Sequence, residues 1–298
     1  MGSDILTVIV TSYQSPRPLR LCLVALAAEI ARLRAQGEQG GIELIVADDG
    51  DPEHASRAPA IEAAASGSFS RVRRLWQAHD GYGKVRLANK AAAAAETELL
   101  LYLDGDSLLA PGALATHLRL SGPRRYVSGN QLRLGATASA AIDESLAESG
   151  RFASALWLLP WTIRRDGFET KRHYATLRAL GLARPLRRRG RGGFNGGCAS
   201  LPKQLLEEVN GWDESIAGYG FDDTELGHRL QNVGAEPVDA RLEAMVVHLF
   251  HGRPYRGTDV AYEEKRKLVA ATLHGTQIRA QQGLAEMGPH DPGVWEEL

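Results

Sequence analysis

The sequence has little cysteine, no long apolar run and almost no net charge. Its 298 residues include two cysteines, Cys22 and Cys198, which suggest neither a disulfide framework nor a zinc site built from cysteines. No apolar stretch approaches the roughly 18 to 20 residues of a membrane-spanning helix, and no signal peptide is recognisable before the first strand-like segment. We therefore expect a protein of a reducing compartment and place it in the cytoplasm.

Signatures of two large groups of nucleotide-binding proteins are also missing. No Gly-x-Gly-x-x-Gly follows the first predicted strand, and no Walker-type loop occurs, which disfavours a Rossmann dehydrogenase and a P-loop enzyme. A formal net charge of −1 gives no reason to expect a nucleic-acid partner. The function must therefore be sought in local clusters of polar residues.

Apolar runs alternate with helical patterns along the chain. Predicted strands lie near 5–10, 42–47, 71–75, 99–103 and 244–249, and predicted helices near 19–34, 53–65, 83–98, 202–209 and 222–233. Strands that alternate with helices pair in parallel through right-handed crossovers. We therefore predict an α/β fold in which helices flank a mainly parallel central sheet.

Three of the predicted strands end in polar clusters. These are Thr11-Ser12-Tyr13, Asp48-Asp49 and Asp104-Gly105-Asp106. The last cluster, here called the Asp-Gly-Asp loop, is by itself explained equally well by a surface turn and by a site for Mg²⁺ or Mn²⁺ with phosphate oxygens. Ligands of open α/β sheets bind beyond the carboxyl ends of the strands, so the coincidence of three clusters favours a ligand site.

Five blocks of sequence, in order, resemble the family 2 glycosyltransferases. They are TVIVTSYQSP, ELIVADDGD, HDGYGKVRLANKA, LLLYLDGDS and GGCASLPKQLLEEVNGWDESIAGYGFDDTELGHRL. The last block is the most specific, and it is similar to bacterial polysaccharide polymerases and to the C-terminal region of galactosyltransferases. The resemblance extends over roughly 5–251.

The resemblance implies the GT-A fold and an inverting transfer of a sugar from a nucleoside diphosphate, usually UDP, to an acceptor hydroxyl. The acceptor is a saccharide, a lipid-linked molecule or a small molecule, as in polysaccharide biosynthesis. Residues 1–130 would form the nucleotide-sugar-binding half, 131–255 the acceptor-binding and catalytic half, and 256–298 a helical tail. Two alternatives stay open: a retaining transferase on the same fold, and a non-catalytic nucleotide-sugar-binding partner of a polysaccharide synthase.

The resemblance also assigns residues to the donor nucleotide. Asp48 would accept the uracil N–H, and Thr11 and Tyr13 would line the base and ribose. Turn formation and loop polarity are the alternative explanations for these three residues. A further group, Asp80, Arg86 and Asn89, matches a block that borders the nucleotide in the family, although a solvated helix face explains Arg86 almost as well.

The metal site is implied by the Asp-Gly-Asp loop and a histidine. Asp106 would bind the cation directly, with Asp104 on the ribose or a metal-bound water and Gly105 between them. His248 resembles the further ligand that follows the last core strand, and it is preferred to His251. Because imidazole suits later transition metals, a histidine ligand favours Mn²⁺ over Mg²⁺.

An acidic pair before a predicted helix resembles the catalytic acids of the family. Asp223 would deprotonate the acceptor hydroxyl, and Asp222 would orient the acceptor. The alternative is a helix cap with an acid in the first turn. Gly197 would let the backbone approach the donor sugar, and Trp212 would form either an acceptor wall or part of the core.

A stretch rich in tryptophan and arginine lies outside these blocks. Trp157, Trp161 and the basic residues up to Arg191 resemble an interfacial cationic segment, which would place the protein peripherally on the inner face of a membrane. The alternative is a mobile acceptor loop with a solvated basic face.

Overall fold

A computed structural model describes residues 3–50, 56–164, 166–169, 188–189, 193–216, 218, 220–252, 259–287 and 293–298. Strands and helices alternate in the first part of the chain. They are β1 (Asp4–Ser12), α1 (Pro16–Ala35), β2 (Gly41–Asp49), α2 (Arg57–Ala65), β3 (Arg71–Gln77), α3 (Lys84–Ala94) and β4 (Leu99–Asp104).

Mostly short elements, with two longer helices among them, make up the rest. After β4 come β5 (Ser107–Leu109), α4 (Ala113–Leu120), β6 (Arg125–Ser128), β7 (Asn130–Arg133), α5 (Ala136–Ala140), α6 (Glu144–Ser149) and α7 (Ala155–Thr162). The last group is β8 (Arg188–Arg189), β9 (Cys198–Pro202), α8 (Lys203–Glu208), α9 (Asp222–Asn232), β10 (Glu236–Asp239), β11 (Met245–His248), α10 (Asp259–His274) and β12 (Val294–Glu297).

The described strands form one large and one small sheet. The large sheet has nine strands in the order β12-β3-β2-β1-β4-β9-β6-β10-β8, and the small one has the order β5-β11-β7. In the large sheet β12, β9 and β8 run against the other six strands. The predicted mainly parallel sheet with flanking helices is thereby confirmed.

The core follows directly from the apolar runs. In β1 and β4, side chains on both faces are buried, as expected for central parallel strands. One face packs against α3, whose alanines allow a close approach, and the other face packs against α1 and α2. In the described part of the chain no helix has both the length and the apolar character needed to cross a bilayer.

The two sheets meet at the Asp-Gly-Asp loop. Only Gly105 and Asp106 separate β4 of the large sheet from β5 of the small one. In the small sheet β11 pairs with β5, and His248 lies opposite Ser107. This connection brings the end of β11 to the carboxyl ends of β1 and β4.

Candidate functional site

A cavity of about 430 Å³ lies beyond the ends of β1 and β4. The parallel register places Thr11 beside Asp104 at this edge. Predicted site residues that line the cavity are Thr11, Tyr13, Asp104, Gly105, Asp106 and His248, and they are joined by Lys84, Asp49, Arg133 and His251. The structure therefore gathers residues from distant sequence blocks at the edge where the strand-end argument places a ligand.

The Asp-Gly-Asp loop is packed closely against β1. The N–H of Gly105 donates to the carbonyl oxygen of Thr11 over 2.8 Å. A Cβ atom at position 105 would lie 2.9 Å from that oxygen, so glycine permits this approach. On the other side of the loop, the buried Cys22 Sγ lies 3.8 Å from the carbonyl oxygen of Asp104. The backbone that carries the two carboxylates is thus held from both sides.

Asp104 is held by neighbouring side chains. Lys84 Nζ lies 2.5 Å from its Oδ1, and Gln131 Nε2 donates to its Oδ2 over 3.0 Å. Burial raises the pKa of Asp104, but the charge and hydrogen bond of Lys84, together with His248 and the hydrogen bond from Gln131, outweigh burial and lower it. A Cβ at Gly197 would collide with Asp104 and Gln131. Asp104 is therefore an ionised carboxylate in a fixed orientation.

Asp106 faces two histidines. Its Oδ1 lies 3.3 Å from His248 Nε2, and its Oδ2 lies 3.3 Å from His251 Nε2. One ligand atom from each of these three residues lies within 4.8 Å of the other two. Asp104, which was predicted to share the metal, is outside this group, and its carboxylate forms an ion pair with Lys84 instead. His251, the less favoured histidine in the sequence, is inside it.

The donor atoms of this group fit a divalent transition metal. His251 Nδ1 lies 2.6 Å from the carbonyl oxygen of Gly252. A carbonyl can only accept, so Nδ1 carries the proton and, in the neutral ring, Nε2 presents a lone pair toward Asp106. One carboxylate and two imidazoles are a suitable set for Mn²⁺. Asp106, His248 and His251 are therefore the residues that could hold the ion.

The acidic pair lies at the beginning of α9. Asp222 and Asp223 occupy its first turn, and Phe221 before them has a positive φ of 72°, which is uncommon for a bulky residue. Tyr82 Oη donates to Asp222 Oδ2 over 3.5 Å. A Cβ added at Gly196 would lie 3.5 Å from the Cβ of Asp223. Trp212, next to Gly196, is buried and belongs to the core.

The environment of Asp223 makes it a better base than an exposed aspartate. Burial and then the neighbouring charge of Asp222 raise its pKa, Lys84 opposes them, and the net pKa is about 6. Burial also raises the pKa of Asp222, against the opposing charge of Lys84. A carboxylate with this pKa is ionised at neutral pH and binds a proton more readily than usual.

Asp48 lies near the end of β2, is fully buried and is not among the residues that line either cavity. Ser56 Oγ donates to its Oδ2 over 2.5 Å, and Arg74 Nη2 donates to the same oxygen over 3.3 Å. Burial raises the pKa of Asp48, although Ser56 and Arg74 counteract it. Its Oδ1 accepts no hydrogen bond from the residues described. A buried carboxylate oxygen without a donor is a potential acceptor for a ligand N–H.

Asp49, which the sequence left without a role, lines the cavity. It accepts hydrogen bonds from the Gly83 N–H over 2.7 Å and from Gln77 Nε2 over 3.0 Å. His79 Nδ1 lies 3.5 Å from it, and the His79 ring lies 4.5 Å from the ring of Tyr13. The position directly after Asp48 was the available signal. Adjacent residues in a strand point to opposite faces of the sheet. The sequence therefore does not tell whether Asp48 or Asp49 faces the cavity until the orientation of the strand is known.

A second cavity, of about 800 Å³, adjoins the first. Asp80 and Arg86 line it, together with Trp76 and Glu214, and Tyr82 lines both cavities. Asn89 lies outside both: its Nδ2 donates to the carbonyl of Trp212 over 2.9 Å, and its Oδ1 accepts from the N–H of that residue. The structure thus keeps Asp80 and Arg86 together and separates Asn89 from them, although one sequence block contains all three.

Two family models match the sequence. Residues 7–130 match glycosyl transferase family 2, and residues 181–251 match the model described as the N-terminal domain of galactosyltransferase. These matches confirm the resemblance seen in the sequence blocks. A search of curated protein sequences found no significant match.

Solved structures share the fold at low sequence identity. A mannosyltransferase from Pyrobaculum calidifontis, in complex with GDP-Man and Mn²⁺, is 17% identical with a TM-score of 0.54, and the match covers 90% of this chain and 62% of that one. GalNAc-T7 with UDP, GalNAc and Mn²⁺ is 13% identical with a TM-score of 0.52, and the match covers 90% of this chain and 48% of that one. This chain therefore spans about half to three fifths of these neighbours.

Proposed function

We propose that this chain, which shares its fold with solved glycosyltransferases and matches the glycosyl transferase family 2 model over residues 7–130, catalyses an inverting, metal-dependent transfer of a sugar. The donor is a nucleoside-diphosphate sugar, with UDP as the nucleotide, and the acceptor is a hydroxyl of a saccharide or another molecule. The observation that carries the proposal is the group Asp106, His248 and His251 beside Asp104, in a cavity at the strand ends.

The three ligand residues would hold Mn²⁺. When bound, the ion would neutralise the negative charge that develops on the departing nucleoside diphosphate. Lys84 lies in the same cavity and carries the positive charge that keeps Asp104 ionised. Burial opposes the charge of Lys84, but the nearby acids, Asp104 first among them, raise its pKa well above the usual value. Lys84 is therefore a permanent cation beside the donor.

Asp223 is the proposed general base. It would accept the proton of the acceptor hydroxyl as the oxygen attacks the anomeric carbon from the side opposite the leaving group. Its raised pKa and its place beside Gly196 support this role. Asp222, held by Tyr82, would orient the acceptor.

The nucleotide would lie over the ends of β1 and β2. Tyr13 stacks near His79 at this end of the cavity, and its ring offers a face for a base. Asp48 Oδ1, which accepts no hydrogen bond from the described residues, would accept the base N–H, and Thr11 would border the ribose. Residues 1–130 would thus bind the nucleotide sugar, while 131–255 would supply most of the acceptor side and 256–298 would form a tail.

The larger cavity is the proposed acceptor site. Tyr82 lines both cavities and contacts Asp222, so an acceptor bound there would reach the acidic pair. Trp76 and Tyr82 offer aromatic faces, and Asp80, Arg86 and Glu214 offer polar groups, a combination suited to a saccharide.

The decisive experiment measures nucleotide release from a panel of UDP-, GDP- and dTDP-sugars with and without Mn²⁺, followed by NMR of the product anomer. We expect Mn²⁺-dependent release from a UDP-sugar and an inverted anomeric configuration. A retained configuration would overturn the inverting mechanism. Absence of turnover with every donor, acceptor and water would instead support a non-catalytic binding partner.

A further inference from the structure

Asp48 is held through only one of its two carboxylate oxygens. Ser56 Oγ and Arg74 Nη2 both donate to Oδ2, and Arg74 Nε donates to Ser56 Oγ over 2.7 Å. The three side chains therefore form a closed triangle of hydrogen bonds. Oδ1 accepts no hydrogen bond in the part of the chain that the structure describes. The triangle thus fixes the carboxylate and leaves its second oxygen for a ligand.

This second oxygen lies close to a residue of the cavity at the ends of β1 and β4, here called the donor cavity. A Cβ atom added at Gly50 would lie 3.2 Å from Asp48 Oδ1 and 3.6 Å from Cγ of Gln14. Gln14 lines the donor cavity beside Tyr13. Because Asp48 is fully buried, its partners inside the protein decide where the carboxylate points.

A buried cation connects Asp48 to the edge of the large sheet. Arg74 on β3 is only 5% exposed, and its Nη1 lies 3.6 Å from Oε2 of Glu296 on β12. Glu296 lies directly opposite Arg74 in the antiparallel register of the two strands. The charges of Glu296, Arg74 and Asp48 alternate in sign along this path. Arg74 is therefore held by β12 at one end and bonds to Asp48 at the other.

Glu296 also holds the element that carries the other partner of Asp48. Its Oε1 lies 2.6 Å from Nη2 of Arg57, the residue that follows Ser56 at the beginning of α2. The strand β12 thus contacts both β3 and α2, from which the two donors to Asp48 come. Residues 252–298 lie outside the ranges that the two family models match. The contacts of Glu296 therefore join this region of the chain to the proposed nucleotide site.

We propose that Arg74 and Glu296 are positioning residues for recognition of the donor base. Arg74 holds Asp48 so that Oδ1 accepts the base N–H, and Glu296 holds Arg74. An ionised carboxylate accepts the N3–H of uracil, whereas cytosine has a lone pair at N3 and no proton to donate. The site therefore favours UDP over CDP. This inference rests on the proposed function, because it requires that Asp48 binds the base.

The positive charge of Arg74 is the physical reason for its role. Burial raises the pKa of Asp48, and the hydrogen bond of Ser56 and the charge of Arg74 counteract burial. Without Arg74, the buried carboxylate lacks its cationic partner and takes up a proton more readily. A protonated carboxyl group can donate a hydrogen bond, so it also suits N3 of cytosine. Arg74 therefore controls the preference between the two bases.

The test is isothermal titration calorimetry of UDP and of CDP in the presence of Mn²⁺, which gives the ratio of the two dissociation constants without turnover. The wild-type protein should prefer UDP. Arg74→Met should lower this preference by at least about tenfold, the usual contribution of a hydrogen bond to a charged group, while CDP still binds through its diphosphate. Glu296→Gln should lower it about threefold, because the ion pair that it breaks is partly exposed.

The matched control is Glu297→Gln. Glu297 is the next residue of β12 and pairs with Arg71, so its substitution removes an ion pair that anchors the same strand without touching Arg74. This variant should keep the wild-type preference for UDP. Circular dichroism checks the fold of Arg74→Met. If that variant does not fold, Glu296→Gln still tests the inference, because its side chain lies at the edge of the sheet.

Two results would overturn this inference and leave the proposed function intact. One is an unchanged preference for UDP in Glu296→Gln and in folded Arg74→Met. The other is an equal loss of preference in Glu296→Gln and Glu297→Gln, because β12 would then act only by anchoring the sheet. Equal binding of UDP and CDP by the wild-type protein would remove the role of Asp48 and with it the inference. A wild-type protein that binds neither nucleotide would contradict the proposed function itself.

Discussion

At the scale of single residues, three aspartates of the candidate site lie in different environments. Asp104 is fixed by Lys84, Asp106 faces two histidines, and Asp223 stands apart at the beginning of α9. Each carboxylate therefore has a different neighbour and a different expected role. Substitutions that keep the shape and remove the charge can separate these roles.

Asp223→Asn should lower kcat by about 10²- to 10⁴-fold, the usual contribution of a general base. The amide cannot accept the hydroxyl proton, but it leaves the donor cavity unchanged. Stabilisation by UDP and Mn²⁺ in a thermal-shift assay should therefore persist. Glu98→Gln, a change of an exposed carboxylate away from both cavities, is the control and should retain full activity. Full activity of Asp223→Asn would remove this residue from the mechanism.

The pH dependence of kcat/KM should report Asp223. Its pKa of about 6 means that the carboxylate is mostly protonated below this pH and cannot act as a base. The rate should therefore rise as the pH increases through 6 and level off above about 7. The measurement is initial rates from pH 5 to 8 at constant ionic strength and saturating Mn²⁺. A wild-type profile that is flat across this range would contradict the assignment.

His251→Ala and His248→Ala should each weaken Mn²⁺ binding by about tenfold or more, since loss of even an outer-shell partner costs this much. Electron paramagnetic resonance of free Mn²⁺ measures this without any turnover. His228→Ala is the control, because this half-buried histidine lies on α9 outside the metal group. Unchanged Mn²⁺ binding in His251→Ala would exclude it as a ligand.

At the scale of elements, α9, which begins with the acidic pair, is held by a buried ion pair. Arg229 donates from Nε and Nη2 to the two carboxylate oxygens of Glu225, each over 2.7 Å. Its Nη1 also donates to the carbonyl oxygens of Val209 and Gly211. The guanidinium thereby ties the helix to the turn before it.

Arg229→Met should reduce the free energy of unfolding by about 3–5 kcal/mol, because it leaves the Glu225 charge buried without its cationic partner. Urea denaturation measures the loss. The double variant Glu225→Leu/Arg229→Met should recover part of it, which would separate the charge effect from lost packing. Arg266→Met, which breaks an exposed pair with Glu263, should change stability little. An equal loss of stability in Arg229→Met and in Arg266→Met would contradict this explanation.

The strands that sequence reasoning predicted are those with long apolar runs. Predicted strands at 42–47 and 71–75 correspond to β2 and β3, which each extend two residues further. The helix predicted over 83–98 ends at Ala94, because Ala95 turns into extended backbone despite its high helix propensity. Local patterns therefore located the parallel half of the sheet well.

Elements held by distant partners were missed. The strand β9 is five residues long, contains a proline and pairs with β4 and β6, both far away in sequence. The terminal strand β12 depends on β3, where Arg71 pairs with Glu297 and the Arg73 guanidinium lies over the Trp295 ring. A strand of four residues is too short for its hydrophobic pattern to reveal which strand it pairs with.

The same limit applies to the site. Strand ends predicted Asp104 and Asp106 as site residues, and the resemblance to the family predicted His248. In the sequence, Lys84 looks like an ordinary charged residue on a helix. Its ion pair with Asp104 could not be predicted, because it depends on how α3 packs against β4. Asn89 also lies on α3, but it bonds to Trp212, more than a hundred residues away.

At the scale of the whole molecule, the candidate site lies where the two sheets join. Asp104 ends β4 of the large sheet, and His248 ends β11 of the small one. A ligand that bridges these residues binds the folded protein only. At a hundredfold excess over Kd, such a ligand adds about 2.7 kcal/mol to the free energy of unfolding.

We therefore expect Mn²⁺ and UDP together to raise the melting temperature by more than the sum of their separate effects. Asp106→Asn should abolish this excess, because it removes the carboxylate between the two histidines. The measurement is differential scanning fluorimetry, with Mg²⁺ and with UMP as comparison ligands. Additive shifts in the wild-type protein would show that nucleotide and metal bind at separate places.

The closeness of Cys22 to the Asp-Gly-Asp loop has a practical consequence. Cys22 and Cys198 are both fully buried, and burial raises the pKa of each thiol, so neither reacts readily while the fold is closed. Modification by a thiol reagent then requires an opening that uncovers the floor of the cavity. The rate of labelling would report that opening through native cysteines, with no residue substituted.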